Sequence, residues 1–347
     1  MMQLVNSFDN LVLVNQSPFN NDEGRMAFID IAKGIGIIIV LFSHVCGFMV
    51  KWASPFFIPL FFVTSGFCTN HLVKISQKVK KLIVPYFFFT LVLFLIYRSF
   101  RPVDFVGVFY SRWCLYPLDH NDNIFLLQSG NGPLWFLPAM FMSFYLYSFV
   151  QKCKSSIGVL LMLISYVIIS YSLSFFPILL PWSLDTAFLM AIFIYCGVKI
   201  RASWLYLKNW CFLFGVCTTY IILLNYCGYE VNLSVRQYGN SLFLLLPTAL
   251  LGSLLCLGFS CLIEKSVFGK FFSELGRNSL PIFCLHMPFI SLWGYLMWVF
   301  QLNLSSIMNG ILCVLFIIAF TYPIAILYNK FISKFINILP TYFLPLL

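Results

Sequence analysis

Polar residues in this chain gather into short stretches between apolar runs of about twenty residues, the length a helix needs to cross a bilayer. Ten such runs predict ten transmembrane helices, near 28–50, 54–72, 82–100, 132–150, 156–175, 182–199, 209–227, 240–263, 278–299 and 305–328. The second and sixth are short and interrupted by polar residues. The expected fold is an all-α integral membrane protein, a polytopic bundle. A tail over 1–24 precedes a transmembrane domain over 25–330, and a second tail covers 331–347. No internal repeat is visible, and no soluble domain is expected at either end.

Composition agrees with lipid as the main solvent. Of 347 residues, 61% are hydrophobic, 19% aromatic and 9% charged, against about 25% charged in a soluble chain. Disorder is excluded by the same scarcity of polar residues. The net charge of +10 does not point to nucleic acid, because basic residues here flank apolar spans. Assigning the connections alternately puts fifteen Lys and Arg residues on the face of the N-terminus. Five (Lys51, Arg98, Arg101, Arg112 and Arg236) fall on the other face, and Lys33 lies within the first span. That asymmetry predicts cytoplasmic termini and places the long connection from Arg101 to Asn131, with Asp104, Asp119, His120 and Asp122, outside. Residues 1–24 lack a basic start followed by an apolar run, so no cleaved signal peptide is expected. The twelve cysteines show neither CxxC nor Cys/His zinc spacing, so neither a disulfide framework nor a metal is predicted.

The first span, FIDIAKGIGIIIVLFSHVCGFMV, holds Asp30, Lys33 and His44. Ionisable residues within a span are costly and mark function by default. Eleven residues separate Lys33 from His44, which is three helical turns plus roughly 20°, so both leave one face about 16 Å apart. Asp30 can pair with Lys33 at i, i+3. Gly34, Gly36 and Gly47 permit close helix approach there. A structural role for His44 and snorkelling for Lys33 compete with a catalytic role. The cluster KISQKVKKL at 74–82 serves membrane orientation or, through Lys78 and Lys81 on one face, a polyanion such as coenzyme A. Asp185 reads as a helix start or a site residue, and His286 as a packing residue or a site residue. Asn278 and Ser279 read as caps, and Trp135 as a belt residue or the wall of an acceptor groove. His71 and His120 have no evident partner.

Five blocks together resemble the acyltransferase-3 family of bacterial membrane proteins. They are RMAFIDIAKGIGIIIVLFSHV at 25–45, SQKVKKLIVPYFFF at 76–89, GPLWFLPAMF at 132–141, SLDTAFLMAIFIYCG at 183–197 and LGRNSLPIFCLH at 275–286. The resemblance implies acyl transfer to extracytoplasmic carbohydrate. It implies a basic residue, ten others and then an essential His, the places held by Lys33 and His44. It also implies an Arg-x-x-Arg pair for acyl-CoA, where Lys78 and Lys81 stand instead. The expected activity is an O-acetyltransferase of the bacterial inner membrane. Acetyl-CoA is the donor, a surface polysaccharide or its lipid-linked precursor the acceptor, and no metal takes part. Donor phosphates are expected near Lys78, Lys81 and Arg277, and acceptor contacts at Trp135, Asp185 and His286. His44 is expected to act as general base or as covalent acyl carrier, with Asp30 and Lys33 orienting the donor or steadying the helix. The rival is a carrier or flippase for a lipid-linked saccharide.

Overall fold

A computed structural model describes residues 26–47, 50–69, 71–98, 101–117, 123–126, 132–332 and 334. Most of both predicted tails, and His120 with Asp119 and Asp122, lie outside the described residues. Among those described, nine helices are long and apolar enough to cross a membrane. They are α1 (Ala27–Val45), α4 (Ile75–Tyr97), α6 (Gly132–Lys152), α7 (Ser156–Ser174), α8 (Pro181–Ala202), α9 (Trp210–Cys227), α10 (Leu242–Ile263), α12 (Ser279–Val299) and α13 (Ser306–Ile332). Shorter helices are α2 (Val50–Ala53), α3 (Phe57–Phe67), α5 (Pro102–Tyr110) and α11 (Val267–Arg277). Two short antiparallel strands, β1 (Val231–Asn232) and β2 (Gln237–Tyr238), form a hairpin before α10.

Local chemistry sets many of these boundaries. Ser155, Asn209, Ser241, Ser266 and Ser305 each accept a backbone N–H from the first turn of the helix that follows, which satisfies donors that an apolar start leaves orphaned. Asn278 does not cap α12 in this way. Its side chain donates to Glu274 O at 2.8 Å and accepts from Asn329 at 2.8 Å, tying α11 to α13. Within α10 and α13, Thr248, Ser253, Ser260 and Thr321 return their hydroxyls to carbonyls four residues back. No water is needed to satisfy them in lipid.

The second predicted span is the main departure. It contains α3, eleven residues or about 16 Å long, well short of a hydrocarbon core of about 30 Å. Its surroundings explain how it persists. Leu60, Phe62, Val63 and Phe67 are fully enclosed, with α1, α8 and α10 packed around the helix. Gly66 and Gly197 let α3 and α8 touch backbone to backbone, since a Cβ on either would lie 2.1 Å from a carbonyl oxygen of the other. Helix α3 still returns the chain along α1. Its start shares a cavity with His44, and Phe61 and Ser65 further on share another with Lys33.

A second close approach fixes the Lys33 end. A Cβ on Gly276 of α11 would lie 1.8 Å from Asp30 O, and one on Gly34 of α1 2.0 Å from Phe272 O. Only glycine allows α11 this near to α1. At the other end, the long connection after α4 is not structureless. It holds α5, anchored where Tyr86 donates to Val108 O at 2.6 Å, and a bridge pairing Cys114 with Phe125.

Candidate active site

Helix α1 ends at Val45, five residues before the expected boundary, because Cys46 takes an extended conformation. His44 therefore sits in the last turn and opens into a cavity of about 600 Å³. Trp113, Trp135, Glu230 and Gln237 also line this cavity. His286 of α12 lies behind it, fully buried, with its ring centroid 5.0 Å from that of His44. His286 Nδ1 is 2.6 Å from Phe283 O. A carbonyl only accepts, so Nδ1 carries the proton and Nε2 the lone pair. That Nε2 has no hydrogen-bond partner among the described residues. A buried acceptor left without a donor is expensive, so its place beside His44 is itself an observation to explain.

A second cavity, about 410 Å³, lies at the Lys33 end. Among the described residues, four cations line it (Lys33, Lys80, Lys81 and Arg277) and no carboxylate does, although Glu274 accepts from Arg277 Nη1 at 3.2 Å. Asp30 stands behind, its side chain 3% exposed, with Lys33 Nζ at 3.9 Å and Arg277 Nε at 3.5 Å. The chamber suits a polyanion. Helix α12 begins at its wall with Ser279 and Leu280, adding the positive end of a helix dipole.

Lys78 is not on this wall. Its Nζ sits 3.3 Å from the centroid of the Phe144 ring, while Lys80 faces the cavity beside Lys81. The cause is a π turn over Val79–Ile83. One wide turn breaks the regular 100° step, so the i, i+3 face drawn through Lys78 and Lys81 does not persist.

The two cavities meet at Phe283, which lines both. Phe136 packs 5.2 Å from Phe283 and 5.7 Å from Phe61, ring to ring, making an aromatic partition between the cationic chamber and the histidine pair. Trp135, the residue before Phe136, is buried and lines the His44 side.

Asp185 lies apart from both cavities. It is enclosed between Arg112, whose Nη2 donates to Oδ1, and Arg236, whose Nε is 3.4 Å from Oδ2. Leu180 N and Thr186 N also donate to it, at 3.1 and 2.9 Å. Arg112 donates further to Leu180 O and Ser234 O. Burial draws its pKa down and Asp185 opposes that; arginine keeps its charge regardless. This cluster ties the long connection after α4, the start of α8 and the hairpin together. Next to it, burial pushes the Cys114 thiol up to about 11, which leaves it unreactive. His71 is exposed, accepts through its backbone from Gln151 and lines neither cavity.

A bundle of lipid-length helices enclosing a cationic chamber joined to a histidine site is the architecture of a membrane-embedded group-transfer enzyme. The chain belongs to the acyltransferase-3 family: the family model, described as an acyltransferase domain, matches residues 26–330. No curated protein and no solved structure matches it. It is a multi-pass membrane acyltransferase.

Four contributors to the cavities had no signal in the sequence. Lys80 was masked by the π turn. Glu230 and Gln237 lie in a short connection between spans without a motif, and Trp113 in the long one. Only the length of that connection hinted at function.

Proposed function

We propose that the protein transfers an acetyl group from acetyl-CoA to a hydroxyl of a cell-surface polysaccharide or its lipid-linked precursor. Its place is the bacterial inner membrane, with the Lys33 end towards the cytoplasm. The observation that carries this reading is the pair of cavities meeting at Phe283, one cationic and one built around His44 and His286. The split of Lys and Arg between the two faces supports the orientation.

In this reading the donor phosphates lie among Lys33, Lys80, Lys81 and Arg277, the first and last steadied by Asp30. The thioester passes Phe283 towards His44. Neutral His44 takes the proton of a sugar hydroxyl; the oxygen attacks the thioester carbonyl, the C–O bond forms and the C–S bond breaks. The coenzyme A thiolate leaves and receives the proton from His44. His286 is a positioning residue: its Nε2 accepts a hydrogen bond from His44 as the reactive complex tightens. This gives the orphaned acceptor a donor.

The test combines cells and purified protein. Mass spectrometry of surface glycan should lose an acetyl ester when the gene is deleted. Purified protein should move labelled acetyl from acetyl-CoA to the de-O-acetylated glycan. A carrier or flippase for a lipid-linked saccharide would leave the labelled acetyl on coenzyme A, and that outcome would reject the proposal.

A further inference from the structure

A third cavity, about 1110 Å³, opens beside the His44 chamber and shares Tyr229, Glu230 and Gln237 with it. Its other walls include the end of α7 (Tyr171), α9 (Asn225) and the turn after β2 (Asn240). Lys51 and Arg236 line it too, Arg236 enclosed and held on Asp185, and the rest of the wall differs in chemistry from the cationic chamber. Tyr171 and Tyr229 are 44% and 39% exposed, the Tyr171 ring resting against Phe175 and Phe243. Amide side chains stand between them, and the Glu230 carboxylate has no hydrogen bond or ion pair among the described residues. The site is built rather than loose. Tyr229 Oη donates to Asn225 Oδ1 at 3.0 Å and Ser54 donates to Tyr229 O at 2.7 Å. Asn240 donates to Tyr226 O at 3.0 Å. Gly228 and Gly239, at φ +83° and +69°, turn the chain at both ends of the hairpin.

Aromatic faces beside amides and a carboxylate match a saccharide. Ring C–H faces lie on aromatic surfaces, amides exchange donor and acceptor roles with hydroxyls, and a carboxylate accepts from two neighbouring hydroxyls at once. The volume exceeds that of an ordinary small-molecule pocket, about 300–1,000 Å³. A ligand filling it and reaching His44 must be extended.

We infer that this groove is an acceptor track for several consecutive sugars of an extended saccharide, presenting a hydroxyl of one of them to His44. The enzyme then acts on a chain already assembled, so a glycan-polymerising reaction must come before it. This inference rests on the acyltransferase reading and adds the size of the acceptor and the residues that grip it.

The experiment uses the full chain in lipid nanodiscs with acetyl-CoA. Acceptors are size-fractionated oligosaccharides from the de-O-acetylated surface polysaccharide, from one sugar upwards. The acceptor KM should fall by about tenfold or more between one sugar and four, the effect of roughly one or two added contacts. Tyr171→Ala and Glu230→Gln should each raise the KM for long acceptors by about tenfold and so flatten the length dependence. The acetyl-CoA KM in each variant reports an intact fold. Transfer with a KM independent of length, or variants that affect one sugar and long chains equally, overturns the track and leaves the acyltransferase reading standing. Transfer to no acceptor, with acylated glycan persisting in deleted cells, overturns both.

Discussion

Two aspartates inside this bundle each stand between two basic side chains, yet the clusters differ in what they leave over. Arg112, Asp185 and Arg236 are at most 2% exposed in their side chains, and backbone carbonyls take up arginine donors that the carboxylate does not. Asp30 is equally buried, but Lys33 and Arg277 keep 25% and 44% of their side-chain surface open, facing a chamber without a carboxylate on its wall. Residue types alone do not separate a structural triad from a binding one. The fate of the remaining donors does: in the first cluster they close on carbonyls and hold loops together, whereas in the second Arg277 Nη1 turns to Glu274 at 3.2 Å and Lys33 stays open to the cavity.

The largest effect should come from breaking the closed cluster. Asp185→Ala leaves two enclosed arginines without their counter-charge, a loss of about 3–5 kcal/mol, seen as lost thermal stability and monodispersity in detergent. Asp30→Ala should cost less, about 1–2 kcal/mol, because its partners can turn to solvent. A comparable loss of stability in both variants would erase the distinction.

Next in size is the cationic chamber. Charge-assisted contacts contribute about 1.5–3 kcal/mol each, so Lys80→Ala with Lys81→Ala should weaken coenzyme A binding by roughly a hundredfold at 1.4 kcal/mol per tenfold. Calorimetry in nanodiscs measures this. Smallest is Lys78→Gln, which removes a cation from the Phe144 ring and should change coenzyme A affinity by no more than about threefold. A large loss at Lys78 with little at Lys80 would return the anion site to the regular helical face and discard the π turn as its organiser.

The difference between these lysines shows what a sequence conveys here. Helices long enough to span are plain in apolar runs, and the shared face of Lys33 and His44 follows from regular geometry along one helix. Both fail where geometry departs from regular. The π turn at Val79–Ile83 leaves no mark in hydropathy, and the compact α3, held by Gly66 against α8, shows there only as a short, interrupted run. Asp185 could not be assigned because its partners, Arg112 and Arg236, are distant in sequence. The pairing of His44 with His286 and the groove drawn from α7 and the hairpin arise only from packing.

The central claim is a division of labour: one cavity binds the donor and the other performs the transfer. It is tested most directly by measuring coenzyme A affinity and acetyl transfer in the same nanodisc preparation of His44→Ala. The account predicts affinity within about twofold of the unsubstituted protein and transfer lowered by about 10²–10⁴, the range of a lost general base. Weakened coenzyme A binding with transfer preserved would contradict it.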